Sequence, residues 1–317
     1  LGSNRFFLGE ESRIFTSKTY PMKTTVSFLA FVLTMNVFAQ QNDVSVNKYW
    51  TQGKAEVNVY ELSQNRYKDN HPGQAISVFV TEDFLTDKQV KNEYYTNPKS
   101  TWTLKNIQIR KFTTGVYDYS LFSSVFTPID RNTFPQSLKV TATSQEWCGT
   151  IFTQVNLRGE KYKYEQRSYF EKEGDVTDAI DKGVLEDELY TVLRMNPEFL
   201  PKGNFQIIPA LNFMQLKHLK NSTYKANGSI RTYKESAFTG TKLNEYRVII
   251  PELKRELRIV YENQAPYKIV GWLDTFPSAF DKKLRTTKAT LKKQKMLPYW
   301  GQNSLQDTSL RKELGLK

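Results

Sequence analysis

A chain of 317 residues is long enough to bury a large core, and its single cysteine, Cys148, excludes an internal disulfide as support. The 45 Lys and Arg outnumber the 33 Asp and Glu for a net charge of +12, but the excess is local: from Asp281 to Lys317, ten basic residues stand against three acidic ones. Aromatics make up 14% of the chain, a balance that favours strands over helices.

Residues 1–21 show no clear period and read as an upstream artefact, with the true start at Met22. Met22 to Ala39, MKTTVSFLAFVLTMNVFA, has the form of a secretory signal peptide: a basic start at Lys23, an apolar run, and small or aliphatic residues at Val37 and Ala39. The apolar run is short of the roughly 20 residues a spanning helix needs. The expectation is a periplasmic or secreted protein, cleaved near Ala39, with no transmembrane segment. That address removes ATP, NAD and nucleic acid from the expected partners.

Ala55 to Leu62 alternates Ala, Val, Val and Tyr with Glu, Asn and Glu, the pattern of a half-buried strand. His71-Pro72-Gly73 reads as a turn, and Gln74–Thr81 as a central strand. Asp87–Thr96 is polar, either a short helix or an excursion. From Thr101 to Lys172 long strands follow one another, with Arg158-Gly159-Glu160 as a hairpin turn, which predicts an antiparallel meander. Leu185–Met195 carries Leu185, Leu189, Val192 and Leu193 at helical spacing, with Glu186, Asp187 and Glu188 as a solvated acidic face. Strands are expected again at 203–211, 214–219, 223–235, 244–251, 257–262 and 267–275. The basic tail from Asp281 is expected to be helical in part, around Leu284, Leu291 and Met296. The fold class is therefore mainly β: one antiparallel domain over 40–280, curved into a half-barrel or open barrel around a cavity, with one amphipathic helix near 185–195 and a basic tail over 281–317.

Few residues point to chemistry. Glu146 and Cys148, in Ser144-Gln145-Glu146-Trp147-Cys148-Gly149, are the candidates for an acid or base and a nucleophile. A reactive thiol needs a base or a positive neighbour, and His71 and His218 are distant in sequence. The simpler reading makes Cys148 a small buried hydrophobe and Gly149 a strand break. Two His and one Cys match no standard metal spacing, and no phosphate loop, nucleophile elbow or His-Glu-x-x-His occurs. No catalytic residue, metal or cofactor is assigned. Trp102, Tyr117, Tyr119, Phe122, Phe126, Trp147 and Phe152 are candidates to line a cavity for a lipid or amphiphilic ligand, or else are ordinary sheet core. Lys282, Lys283, Lys288, Lys292, Lys293 and Lys295 offer contact with an anionic envelope surface or an envelope protein, or else form a solvated tail.

Three groups of segments carry a resemblance: YWTQGKAEVNVYELSQNRY with VFVTEDF and Lys88-Gln89-Val90-Lys91; FTPIDR with SQEWCGTIFTQVNLR; and PYKIVGW with the Tyr299-Trp300…Leu310-Arg311…Leu314-Gly315-Leu316 tail. Together they resemble an uncharacterised family of exported proteins from Gram-negative bacteria, often labelled "septum formation inhibitor Maf". The resemblance spans the chain beyond the signal and implies a secreted or periplasmic protein. The Ser-x-Ser-Pro-Arg-Arg type of motif found in the cytoplasmic Maf pyrophosphatases does not occur here, so no catalytic residue is carried over. The expected function is binding or carriage of a lipid or amphiphilic envelope ligand. The alternative is an envelope glycan or lipid hydrolase or transferase using Glu146.

Overall fold

The computed structural model describes residues 48–316; the segment 1–21 and the export signal 22–39 lie outside the described residues. Among the described residues, fifteen strands build one sheet. The first eight follow one another as antiparallel neighbours: β1 (Ala55–Arg66), β2 (Asp69–Leu85), β3 (Ser100–Thr114), β4 (Tyr117–Pro128), β5 (Lys139–Glu146), β6 (Gly149–Arg158), β7 (Lys161–Ser168) and β8 (Asp175–Asp181). The rest are β9 (Val184–Leu185), β10 (Gly203–Ile208), β11 (Tyr224–Thr232), β12 (Leu243–Ile250), β13 (Arg255–Glu262), β14 (Ile269–Pro277) and β15 (Leu284–Leu297). Because β1 pairs with β15, the sheet order runs β8 to β1, then β15 to β9. All neighbours are antiparallel except β9 and β10. The sheet stays open between β8 and β9, two strands joined directly in the chain.

Alternation and turn residues account for these strands. Gly115 and Gly159 take positive φ, 67° and 60°, in the β3–β4 and β6–β7 turns, where a residue with a Cβ would be strained. Three short α-helices lie wholly within the described residues, besides the helical turn at 48–50: α1 (Leu189–Met195), preceded by a 3-10 turn at Glu186–Glu188, α2 (Leu211–Lys217) and α3 (Thr308–Leu314). Every residue of α1 is buried, so it is an interior element rather than an amphipathic surface helix. It ends where Pro197 and the Asn196 side chain, accepting from Glu198 N, start a new 3-10 turn.

The inner face of the sheet wraps around α1 and α2. Tyr60 of β1 and Tyr190 of α1 both pack on Trp272 of β14, with ring centres 4.8 and 5.7 Å away. One core cluster joins residues of β1–β4, α1 and β11–β14; a second joins β4–β8 to Leu185, Ile208, Leu211 and Met214 near the other edge. α2 is fastened to both halves. Asn212 and Gln215 donate to carbonyls of Phe122, Thr143 and Ala142, and Lys217 donates to the Pro277 carbonyl. On the outer face, α3 lays Leu314 over Val57, Val59, Val78, Val80 and Leu297.

Several expectations are corrected. β1 is buried on both faces, including Glu56 and Asn58, because α1 lies over one side and α3 over the other. His71-Pro72-Gly73 lies inside β2, and the hairpin turn falls at Tyr67-Lys68. Met214–Leu219 belongs mostly to α2, and β8 was not anticipated. The basic tail is not a separate segment: 284–297 forms β15, between β1 and β14, and only Thr308–Leu314 is α-helical. Alternating Lys and apolar residues fit a strand with one solvated face as readily as a helix, and pairing with β1 decides between them. Among the described residues no helix is long and apolar enough to cross a membrane.

Candidate functional site

The acidic run is the first departure from expectation. Glu186, Asp187 and Glu188 are buried, with only 3% of Glu186 exposed. The 3-10 turn sends each carboxylate to a different partner. Arg255 grips Glu186 through Nη1 and Nη2 at 2.7 and 2.6 Å, and grips Asp274 through Nε and Nη2 at 2.7 and 2.9 Å. Asp187 accepts from the Leu211 amide at the start of α2, at 3.0 Å. Glu188 accepts from the Ser137 amide and hydroxyl, at 2.9 and 2.5 Å. A solvated face was expected; the reason for the difference is that α1 is the filling of the sheet, so its first turn needs interior partners. Burial pushes the Asp187 carboxyl up to about 7, with the Glu186 charge in support and the Leu211 amide, Arg110 and Arg255 opposing. At the other end of α1, Arg194 is fully buried and paired with Glu56, and it rests over Trp50. Breaking such a pair by removing one partner costs about 3–5 kcal/mol, because the other charge is left stranded.

A cleft opens between the β1–β2 turn, α2 and the end of β14. Arg66, Tyr67, Arg110, Phe213, Leu216, Lys217, Phe276 and Phe280 are among its walls. It leads past Arg110, Asn212 and Asp274 to an inner recess lined by Gln108, Ser123, Asp187, Tyr190 and Arg255. The enclosed space is about 30 Å³ in the outer part and about 20 Å³ in the recess, room for a few waters or one small polar group. Arg66 donates to the Leu216 carbonyl at 2.8 Å and the Tyr119 hydroxyl at 3.0 Å, while its Nε is buried without a partner. Its guanidinium lies 4.6 Å from the Tyr67 ring centre. Lys217 donates to the Pro277 carbonyl at 2.8 Å. Burial lowers its pKa, with the Arg66, Lys282 and Arg255 charges adding to the effect and Asp274 opposing it. Arg110 donates to Gln108 Oε1 at 3.3 Å and lies over Trp272. The mouth is aromatic: Tyr67 meets Phe280 edge-on at 5.1 Å, and Phe280 is largely exposed.

The anticipated aromatics do not gather in one cavity. Tyr117 and Tyr119 stand by the cleft, their hydroxyls 2.5 and 2.6 Å from that of Tyr67. Trp147 packs loosely on Tyr117 at a hairpin tip and is 71% exposed. Trp102 lies at the opposite end of β3, in a surface groove with Tyr95, Ile129 and Trp300. Phe122, Phe126 and Phe152 point the other way: side chains alternate along β4, so they lie on the face opposite Tyr119 and Leu121. Phe126 stacks there on Phe84 at 4.4 Å. Cys148 is exposed in the β5–β6 turn rather than buried. The neighbouring Glu146 charge raises its pKa, the reverse of what a nucleophilic thiol requires. His218 is engaged with Glu173 at 2.5 Å, and His71 with the Arg66 carbonyl. Among the described residues, no three His, Cys, Asp or Glu side chains are grouped to hold a metal ion.

The anticipated lysines are spread along β15 and its flanks. Lys292 pairs with Glu61 at 2.7 Å, Lys295 with Glu313 at 2.5 Å, and Lys288 lies over the Phe238 ring. Lys282 and Lys283 stand in the β14–β15 turn near the cleft mouth, and Lys293 faces solvent opposite Val59. Sequence reading missed Arg66, Arg110 and Lys217. The signal was present in β3, where Leu104, Asn106, Gln108, Arg110 and Phe112 share one face. That mixed row faces inward, while Ile107 packs outward beneath α3. No protein-family model, curated protein or solved structure matches this chain significantly, so the site rests on its own geometry.

Proposed function

We propose that this chain is an exported, non-enzymatic binding or carrier protein for an amphiphilic envelope ligand. The observation that supports this most is the cleft, whose lining sets Arg66, Arg110 and Lys217 beside Tyr67, Leu216 and the largely exposed Phe280. A ligand with a polar end and an apolar body matches that mixed lining. The enclosed space takes only the polar end, so the apolar body lies across Tyr67, Leu216 and Phe280 instead of being swallowed. The export-type segment at Met22–Ala39 and the resemblance to exported proteins agree with a periplasmic or secreted site of action. Surface lysines that reach no carboxylate among the described residues, such as Lys282 and Lys293, suit contact with an anionic envelope surface. The enzymatic alternative draws no support from the surroundings of Glu146 and Cys148.

The test is to purify the protein from its native compartment, record its native mass, and extract it with organic solvent. A stoichiometric amphiphile is the expected result. A clean apo mass, together with no binding from a total envelope lipid extract, would overturn the proposal.

A further inference from the structure

We infer that the cleft selects ligands whose polar end is an oxyanion, a phosphate or carboxylate group seated among Arg66, Arg110 and Lys217. This rests on the binding reading above and names the chemistry that the site recognises.

The arginines supply the contrast. Eight arginines among the described residues are buried or half-buried. Six of them reach a carboxylate: Arg131, Arg194, Arg247, Arg255, Arg258 and Arg285. The other two, Arg66 and Arg110, have no carboxylate within ion-pair distance among the described residues, and both line this cleft. Lys217, half-buried on α2, adds a third such cation to the same wall.

Taking a charge out of water without a counter-charge is unfavourable. Here three cations are held by neutral acceptors alone: the Leu216 and Pro277 carbonyls, the Tyr119 hydroxyl and the Gln108 amide. Those contacts fix the positions of the cations without neutralising them. The Nε of Arg66 is buried and has no partner among the described residues. Asp274, the one carboxylate in the outer cleft, has both oxygens taken by Arg255. Asp187 sits deeper and faces both Arg110 and Arg255; burial favours its neutral form. An incoming oxyanion therefore meets the guanidinium forks and the ammonium as its counter-charges. Forked donors fit phosphate and carboxylate oxygens well. The enclosed room of about 30 Å³ suits such a group.

Titration calorimetry on the full chain tests this with octyl phosphate, octanoate, octanol and inorganic phosphate. Octyl phosphate or octanoate is expected to bind at one site at least 100-fold more tightly than octanol. Arg66→Gln, Arg110→Gln and Lys217→Gln should each weaken that binding by 10-fold or more. Arg110→Lys, which keeps the charge, should recover part of it. Circular dichroism of each variant identifies any that fails to fold, and the remaining variants then carry the comparison. If octanol binds as tightly as octyl phosphate and the folded variants bind unchanged, the oxyanion assignment falls while the amphiphile reading stands. Should inorganic phosphate bind as tightly as octyl phosphate and lose affinity in the variants, the oxyanion site stands and the amphiphile reading falls. Absence of binding by all four probes would overturn both.

Discussion

Asp187 shows how much one buried carboxyl can decide. Its pKa is raised from 3.8 to about 7, chiefly by burial, with Glu186 adding to the effect and the Leu211 amide, Arg110 and Arg255 opposing it. The folded state therefore holds a proton that the unfolded chain has already released between about pH 4 and pH 7. Stability from this group is present below that window and is lost as pH rises through it. The loss is on the order of 4 kcal/mol once the carboxyl is charged. Asp187→Asn keeps an acceptor for the Leu211 amide and removes the ionisation. Urea unfolding at pH 4, 6 and 8 should then show a flatter profile for the variant than for the parent, and a more stable variant at pH 8. An identical pH slope in both proteins would mean that Asp187 is ionised throughout. Nothing in the local sequence announces this carboxyl. Three consecutive acids before a helix read as a solvated first turn, and only the sheet closing over them makes them interior.

At the level of elements, short helices owe their stability to what they cover. α3 has seven residues, too few to persist alone in water. It is held by a capping box between Ser304 and Asp307 in the preceding turn, by Gly315 at φ 67° after its last residue, and by Leu314 on the outer face of β1, β2 and β15. Leu314→Ala should lower the unfolding free energy by about 2–3 kcal/mol with an unchanged denaturant slope. A loss below about 0.5 kcal/mol would show that the outer face of β1 and β2 does not depend on α3. The two interior helices differ in legibility. The apolar spacing of α1 was readable from Leu189, Val192 and Leu193. α2 was not, because LNFMQLK alternates well enough to pass for a strand. Its fate is set by the carbonyls of β4 and β5, which accept from Asn212 and Gln215.

The described residues form one continuous sheet that is open only between β8 and β9. β1 and β15, near opposite ends of the described chain, pair along their length, while β8 and β9 are left as edges although only Lys182 and Gly183 separate them. β8 is mostly exposed and, among the described residues, pairs only with β7. Hydrogen exchange should therefore be at least an order of magnitude faster in β8 than in β1 or β15, which have neighbours on both sides. Equal protection in β8 and β1 would indicate that something covers the seam in solution. The open arrangement also explains the size of the cleft. α1, α2 and their ion pairs fill the space that an empty barrel of this strand number would leave, so the ligand reading moves from a lumen to a mouth.

Local pattern was enough to determine the class: period-two alternation, turn glycines at 115 and 159, and abundant aromatics lead to an antiparallel meander in an open barrel, as found. Those signals act over a few residues and survive any tertiary arrangement. Which face of each strand is the inside was settled only by the tertiary structure. β3 carries apolar residues on both faces, and pairing of β1 with β15 together with the covering helices makes the row with Gln108 and Arg110 inward. The same closure carries Arg66, Arg110 and Lys217, from β1, β3 and α2, into one cleft. Convergence of charges that far apart in the chain leaves no local mark, because the electrostatic interaction between them exists only once the sheet has curled.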